Sequence, residues 1–599
     1  MAKTLGLNIP ELNKPDKDDL DLRPKAVDQW LDSLPRGNVG ETARRIFEAL
    51  AQSNRFKYSY QHRQHFLDAS RETVMYVTDA MKRHFVGINA PLPAKNQKIA
   101  AATREIHHAI GVGYMICIEN MMAHSLFFSD NKLLAGLIQR AITSFGRVLL
   151  TCYQTYSPPP AGIWANLHRL FNIAEQHKVL TVSVVEEQNI HAVKTTILGE
   201  YNRLIMLALT SPNRLRHGEV GKVYNVLERW VHKTRLTTVE KDNSKVSTKF
   251  VINLASDDPP RSVSLSQNTV ESEFCRILDT ASLSNAIRKD LKHGFKTGET
   301  TITSLDMSRP DLSHDLMKRL LIAWCIVPKR SFPRTQKQEN VQAVFGLTTT
   351  HQIIISGSKK KTDEELFAKA AKYEPGTAKT SINDAQPDVW EMIYFPNDAE
   401  GFDTLEEQFE KEQSPGGVKK VQQQPDTWMI LNEGARGYCL QSIKQNQSRV
   451  QVGELIGIRR ASKEYTWKWG VGVIRWLTNN QNEGLMLGIE MLTPDAAAIG
   501  LRATSNAKHD YQRTLMLPEL KAMNQPTSLI TASVPYRVGQ QLVINILGQE
   551  ILVKLSKQVQ NTGLFAQFSF EIMAEQSAVY HAPKEDENDP DFSSVWGSI

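Results

Sequence analysis

Near residue 325 the spacing of apolar side chains changes period, and that change sets the fold class of the whole chain. Before it, apolar residues recur at three and four positions. Ala43, Ile46, Phe47, Leu50 and Ala51 do so, and Leu134, Leu137, Ile138, Ala141, Ile142, Phe145, Val148 and Leu149 repeat the pattern over four turns. That is the stripe of a helix with one buried face. From Val341 onward the apolar runs are short, β-rich and punctuated by glycine, which is the pattern of strands. A 3.6-residue period does not line one face of a strand, nor a two-residue period one face of a helix. A helical half therefore precedes a β-rich half.

Within the helical half, Gly162–His177 and Ile190–Thr210 carry similar periodicity, and the breakers Pro158-Pro159-Pro160 and Ser211-Pro212-Asn213 fall between elements. The spacing predicts antiparallel helical hairpins stacked as an all-α bundle or short solenoid over 38–325. Phe250–Leu254 reads as a short strand, with helices resuming at Ser272–Leu291 and Leu312–Cys325. Residues 1–37 are polar and dotted with proline, the composition of a loosely held arm.

In the β half the candidate strands are Val341–Ile355, Thr427–Leu431, Arg436–Ser442, Glu454–Arg459, Trp469–Trp476 and Leu485–Met491. They predict a first β-barrel over 326–506. It is interrupted by a charged surface insertion, 356–424, with one helix at Thr362–Tyr373 and an apolar island at Trp390–Phe395. A second small β-rich domain over 507–581 follows, from TLMLPEL, SLITASV, QQLVINI, EILVKLS and LFAQFSF. Residues 582–599 form an acidic tail ending in Phe592, Val595, Trp596 and Ile599, expected to be solvated or to dock in a groove. The fold class is thus multidomain α+β.

Composition narrows the function. At 599 residues the chain has room for about three or four domains. Its net charge of +6 balances 71 basic against 65 acidic residues, too mild for a dedicated nucleic-acid binder. Cys117, Cys152, Cys275, Cys325 and Cys439 are scattered among apolar neighbours, without CxxC spacing, as buried free thiols of a reducing cytoplasm would be. The N-terminus lacks the apolar core of a signal peptide. Val112–Phe128, interrupted by Glu119, Asn120 and His124, falls short of a membrane span. His62, His65, His107 and His108 have no carboxylate or cysteine at metal spacing, and neither an HExxH, a Walker loop nor a GxSxG elbow occurs. No acid–base or nucleophile set assembles, so an enzyme is not expected, and neither a cofactor nor a metal.

Two stretches remain as a candidate site. Pro328–Arg334, PKRSFPR, is held open by its prolines. Arg330 and Arg334 fall on one side of an extended chain, about 13 Å apart along it. Guanidinium forks bind phosphate and the guanine edge bidentately, and Lys329 adds a neighbouring cation. Taken alone, the pair also reads as a solvated basic turn. The second stretch is Asn432-Glu-Gly-Ala-Arg-Gly437. Asn432 offers a carboxamide to a base edge or to its own turn. Gly434 and Gly437 permit positive φ and close approach of a ligand, or simply fill turn positions. Arg436 faces either the ligand or the outer surface.

An RxxxR pair, a strand, and a hairpin marked [Asp/Asn]-x-[Ser/Ala]-x-x-Gly resemble the PilZ domain, and Val452–Arg459, Trp469–Trp476 and Leu485–Met491 resemble its later strands. The resemblance covers about 328–356 and 425–495. Two departures stand out: Gly434 replaces the small residue at the third motif position, and 356–424 stretches the spacing between motifs. The resemblance implies a six-stranded barrel that binds cyclic di-GMP. Arg330, Arg334 and Asn432 would hold the ligand, Gly434 and Gly437 would give it room, and Lys329 and Arg436 would stand beside it. It further implies a non-catalytic bacterial effector in control of motility, attachment or biofilm, with a protein partner reached through the helical domain or the tail. The alternative is a degenerate barrel that binds a protein partner without nucleotide.

Overall fold

Several helices of the N-terminal half start where the sequence supplies a capping side chain. Asn38 accepts from the Glu41 amide at the start of α2 (Val39–Ser53), and Ser59 from His62 at α3 (Tyr60–Lys82). Asp130 accepts from Leu133 at α5 (Asn131–Gln154), and Thr196 from Gly199 at α7 (Ile197–Leu209). Each such cap stabilises its helix by about 1 kcal/mol. The computed structural model of the chain describes residues 5–16, 19–124, 130–239, 248–263, 273–297, 312–325, 333–356, 425–443, 448–460, 469–480, 483–504, 511–520, 525–546 and 549–573. It divides into two units, one of 1–338, 430–452 and 474–489, the other of 339–429, 453–473 and 490–599.

The first unit holds the ten long helices. To those above it adds α1 (Pro24–Asp32), α4 (Ala94–His124), α6 (Ile163–Gln176), α8 (Glu219–Trp230), α9 (Ala281–Thr297) and α10 (His314–Cys325). They share one apolar core. Among the described helices, α5 is long and apolar enough to cross a membrane, but 78% of its apolar window is buried inside the protein. That is how a core helix behaves. The expected loose arm is instead packed: Leu22, Val27, Leu31 and Leu34 are buried. Pro24 presets the first helical turn, and Val27, Trp30 and Leu31 give α1 an apolar face.

The sequence predicts an all-α half apart from a short strand at Phe250–Leu254; that strand forms, but it belongs to a larger sheet. Strands β3 (Arg235–Thr238), β4 (Lys249–Asn253), β5 (Arg261–Ser262) and β6 (Cys275–Asp279) form an antiparallel sheet in the order β3-β6-β4-β5. The helix expected from Ser272 thus begins as a strand, because 275–279 pairs with β3 on one side and β4 on the other. Pairing partners overrode local pattern there. The expected helix at Ile190 likewise starts only at Ile197. Its leading residues form β2 (Lys194–Thr195) against β1 (Val184–Val185). Beside β2, Arg203 is buried at 2% side-chain exposure, with Glu228 at 2.7 Å, Asn189 at 2.9 Å and the Tyr224 carbonyl at 2.8 Å. Its guanidinium lies 3.5 Å from the centre of the Tyr224 ring. α10 is pinned by Trp324, whose indole donates to the Met206 carbonyl at 3.1 Å.

Strands β7 (Thr335–Phe345), β8 (Asp426–Gly434), β9 (Gly437–Ser442), β10 (Leu455–Arg460), β11 (Gly470–Asn480) and β12 (Gly484–Thr493) close a barrel in the order β10-β11-β12-β9-β8-β7. The first strand, expected through Ile355, stops at Phe345. Gly346 turns the chain at φ +85°, and 347–356 are helical. The β-branched run there reads as strand, but Ile354 packs beside Val344 and Leu455, and Thr350 Oγ1 donates to the Gly346 carbonyl at 2.7 Å. In the second unit β13 (Ala497–Ala503), β14 (Gln512–Leu517), β15 (Ser528–Thr531), β16 (Gln541–Ile546), β17 (Gln549–Asn561) and β18 (Ala566–Ile572) close a second barrel, β13-β14-β15-β18-β17-β16. It begins ahead of the expected residue 507. The Ala-rich β13 lacks a strand-like composition, yet its Ala497, Ile499 and Leu501 join Leu542, Ile544, Leu555 and Phe568 in the barrel's core. Residues 357–424, with Thr362–Tyr373 and Trp390–Phe395, and the tail 582–599 lie outside the described residues.

Candidate functional site

The hairpin β8–β9 and the segment leading into β7 bring the second motif and one motif arginine together. Ala435 and Arg436 form a two-residue turn, which sets Asn432 across from Cys439. The Asn432 carboxamide lies close enough to the Cys439 thiol to influence its titration. Burial pushes that thiol up, while the positive charge of Arg334 and the Asn432 carboxamide pull it back down. Asn432 is half-buried and Arg436 is exposed in the turn.

Gly434 and Gly437 do not use the positive φ that glycine allows. What glycine does at 434 is leave a lightly covered floor. A Cβ there would lie 3.8 Å from Cγ of Arg334, 3.9 Å from the Gly437 carbonyl oxygen and 4.0 Å from that of Pro333. The stem of Arg334 thus rests over the hairpin, and its charge reaches Cys439. Glu433, the acid within the motif, is engaged by Lys337 at 2.9 Å. Arg334 itself is exposed, and among the described residues no carboxylate pairs with it. Lys329 and Arg330 lie outside the described residues.

The barrel wall beside the hairpin is tightly built. β12 neighbours β9, and its Gly488 is covered by Trp476 of β11. A Cβ at 488 would fall 1.7 Å from the indole nitrogen.

Sequence reasoning missed a cation contributed by the helical half. A 3-10 turn, Pro212–Arg214, carries Arg214 close enough to Arg334 to feel its charge. Desolvation by the surrounding protein, then repulsion from Arg334, draw the Arg214 guanidinium below its ordinary pKa. Two residues on, Arg216 is paired with Asp315 at 3.0 Å. Arg214 has no such partner among the described residues. The signal available in the sequence was a basic run, Arg214-Leu-Arg216-His217, directly after the Ser211-Pro212-Asn213 break. Two like charges that sense each other, with no carboxylate partner among the described residues, suit a group of opposite charge.

Comparison with known proteins matches three consecutive family models. "Cyclic-di-GMP receptor FimW, N-terminal domain" covers residues 25–242, "Cyclic-di-GMP receptor FimW, middle PilZ domain" 249–498, and "FimW C-terminal beta-barrel domain" 497–573. The chain is 27% identical over 617 aligned positions to the cyclic-di-GMP receptor FimW of Pseudomonas aeruginosa, with 99% of each chain covered. The order of the three domains agrees with helical region, first barrel and second barrel.

Proposed function

This chain belongs to the FimW family of PilZ-containing proteins, and we propose on that basis that it is a non-catalytic bacterial receptor for cyclic di-GMP. The observation that carries the reading is local: Arg334 lies over the Asn432–Gly437 hairpin without a carboxylate partner among the described residues. A paired surface arginine would have to exchange a carboxylate for the ligand, whereas this one has its fork to offer.

The roles follow from the chemistry of each group. Arg334 binds a phosphate or the O6/N7 edge of guanine through two parallel N–H bonds. Asn432 directs its carboxamide to the ligand with Cys439 beside it. Gly434 and Gly437 keep the hairpin low beneath the bases, and Arg436 adds charge from the turn. Arg330 and Lys329 enter this reading through the motif alone. The ligand would shift the population of arrangements open to the first unit, to the extent that it binds one of them better. A cytoplasmic location, a protein partner reached through the helical region, and an output in motility or attachment complete the proposal.

Calorimetry with cyclic di-GMP tests it. Each charge-assisted bond is worth about 1.5–3 kcal/mol, so Arg334→Ala should weaken binding by about 100-fold or more. Absence of heat from the wild-type protein would sink the reading.

A further inference from the structure

Inside the helical region, one cavity is walled by cations. Arg71 of α3, His107 of α4, and Arg140, Thr143 and Arg147 of α5 line it together with Gln188 from the loop between β1 and β2. Sequence spacing accounts for the convergence: residues 140, 143 and 147 fall on one face of α5, as 71, 74 and 75 do on α3. We propose that this cavity is a binding site for one small monovalent anion of the size of chloride, held among three helices. The site is independent of the nucleotide reading.

Charge is the first argument. Two of the three guanidiniums have carboxylates of their own. Arg71 is paired with the fully buried Glu186, and Arg140 holds both oxygens of Asp68, at 2.6 and 2.7 Å. Those carboxylates also serve neutral donors: Asp68 accepts from the Tyr114 hydroxyl at 2.7 Å, and Glu186 from the Gln139 amide at 3.0 Å. Arg147 has no carboxylate partner among the described residues, and its guanidinium stands 5.5 Å from the centre of the Tyr224 ring. One positive charge is left over at the cavity. A ring face holds a guanidinium less strongly than an anion does.

Unused donors are the second argument. The Nε–H groups of Arg140 and Arg147 are buried and have no acceptor among the described residues. His107 is 6% exposed, and its ring makes no hydrogen bond among the described residues. Burial, then the charge of Arg147, keep that ring neutral, so it has one N–H to give and brings no charge. Thr143 Oγ1 accepts from Gln139 at 3.0 Å, which leaves its own proton to donate. Buried donors without acceptors are costly, and a single anion would answer several of them.

Size selects the anion. The cavity measures about 20 Å³, room for one particle the size of a water molecule. Chloride and bromide are of that order. Sulfate, phosphate and a nucleotide, with several oxygens around each central atom, are larger, and their charge exceeds the surplus. An ion seated here would tie α3, α4 and α5 to one another and to the Gln188 loop.

Melting of the full-length protein tests this, with chloride exchanged for the bulkier gluconate at constant ionic strength. At tenfold excess over its dissociation constant, chloride should raise the wild-type melting temperature by about 2–5 °C, and bromide similarly. In Arg147→Gln, half of that rise should need at least about tenfold more chloride. Lys222→Ala, which removes an exposed cation of α8, should respond as wild type. Sulfate stabilises proteins through exclusion from their surface, so its effect should be equal in wild type and Arg147→Gln. Crystals of the wild type grown in bromide give a readout that needs no variant: anomalous scattering should peak between Arg147, His107 and Thr143. Equal melting in chloride and gluconate, an unaltered chloride response in Arg147→Gln, a sulfate effect lost in that variant, or bromide crystals without the peak would each overturn the inference.

Discussion

Gly488→Ala is a one-carbon change whose cost follows from the barrel's geometry. The added methyl would sit 1.7 Å from Nε1, 2.0 Å from Cε2 and 2.3 Å from Cδ1 of Trp476. Carbon atoms in contact need about 3.5–4.0 Å, so the ring must shift by roughly 1.5–2 Å or the two strands must part. The obstacle is a rigid bicyclic ring rather than the free end of a flexible chain, so the overpacking cost belongs at the upper end of the usual range, about 2–3 kcal/mol. Urea unfolding followed by circular dichroism measures it. The cause is tested by the double variant Gly488→Ala with Trp476→Leu, in which the obstacle is gone. That variant should be less destabilised than the sum of the two singles by about 1 kcal/mol or more. Since β12 neighbours β9, Gly488→Ala should also weaken cyclic di-GMP binding at the hairpin. A single variant within about 0.5 kcal/mol of wild type, or strict additivity in the double, would refute the packing argument.

Arg203→Met should destabilise the helical region by about 3–5 kcal/mol, because it strands Glu228 at 2% exposure and Glu200 at 4%; adding Glu228→Gln should recover part of the loss in thermal melts. Burial holds His107 and His351 down to about 3, against an ordinary 6.5. Both stay neutral when folded and take up a proton when unfolded, so stability should fall as pH drops from about 6.5 towards about 3. The slope is at most about 1.4 kcal/mol per pH unit for each histidine. His351→Gln should make the slope of stability against pH shallower, and an unchanged slope would show that His351 does not contribute.

The barrels were legible because their strands carry their own signal. Thr427–Leu431, Glu454–Arg459, Trp469–Trp476 and Leu485–Met491 alternate or cluster apolar residues between glycines, and each became a strand with ends shifted by one to four residues. What could not be read depended on partners far along the chain. β6 is a strand because β3 and β4 flank it. Residues 347–356 are helical because Gly346 turns the chain and Ile354 finds a core, although their β-branched composition argues for strand. β13 is nearly mute in composition and owes its state to β14 and β16. The site divides along the same line. Asn432, Gly434 and Arg334 lie in motifs, but the pairing of Asn432 with Cys439 needs the hairpin register. Arg214 feels the charge of Arg334 only through tertiary folding, so local sequence spoke of it no more loudly than of any basic loop.

The juxtaposition of Arg214 and Arg334 bears on how the protein behaves before any messenger arrives. Two arginines with no carboxylate partner among the described residues would attract small anions from solution, multivalent ones in preference to chloride. On the proposed reading the nucleotide would then enter by displacement. Sulfate or phosphate in the medium will act as competitors, so apparent affinity will depend on which anion is dissolved as well as on ionic strength. In a cell rich in phosphate esters, that background occupancy sets the concentration the messenger must exceed before the receptor responds.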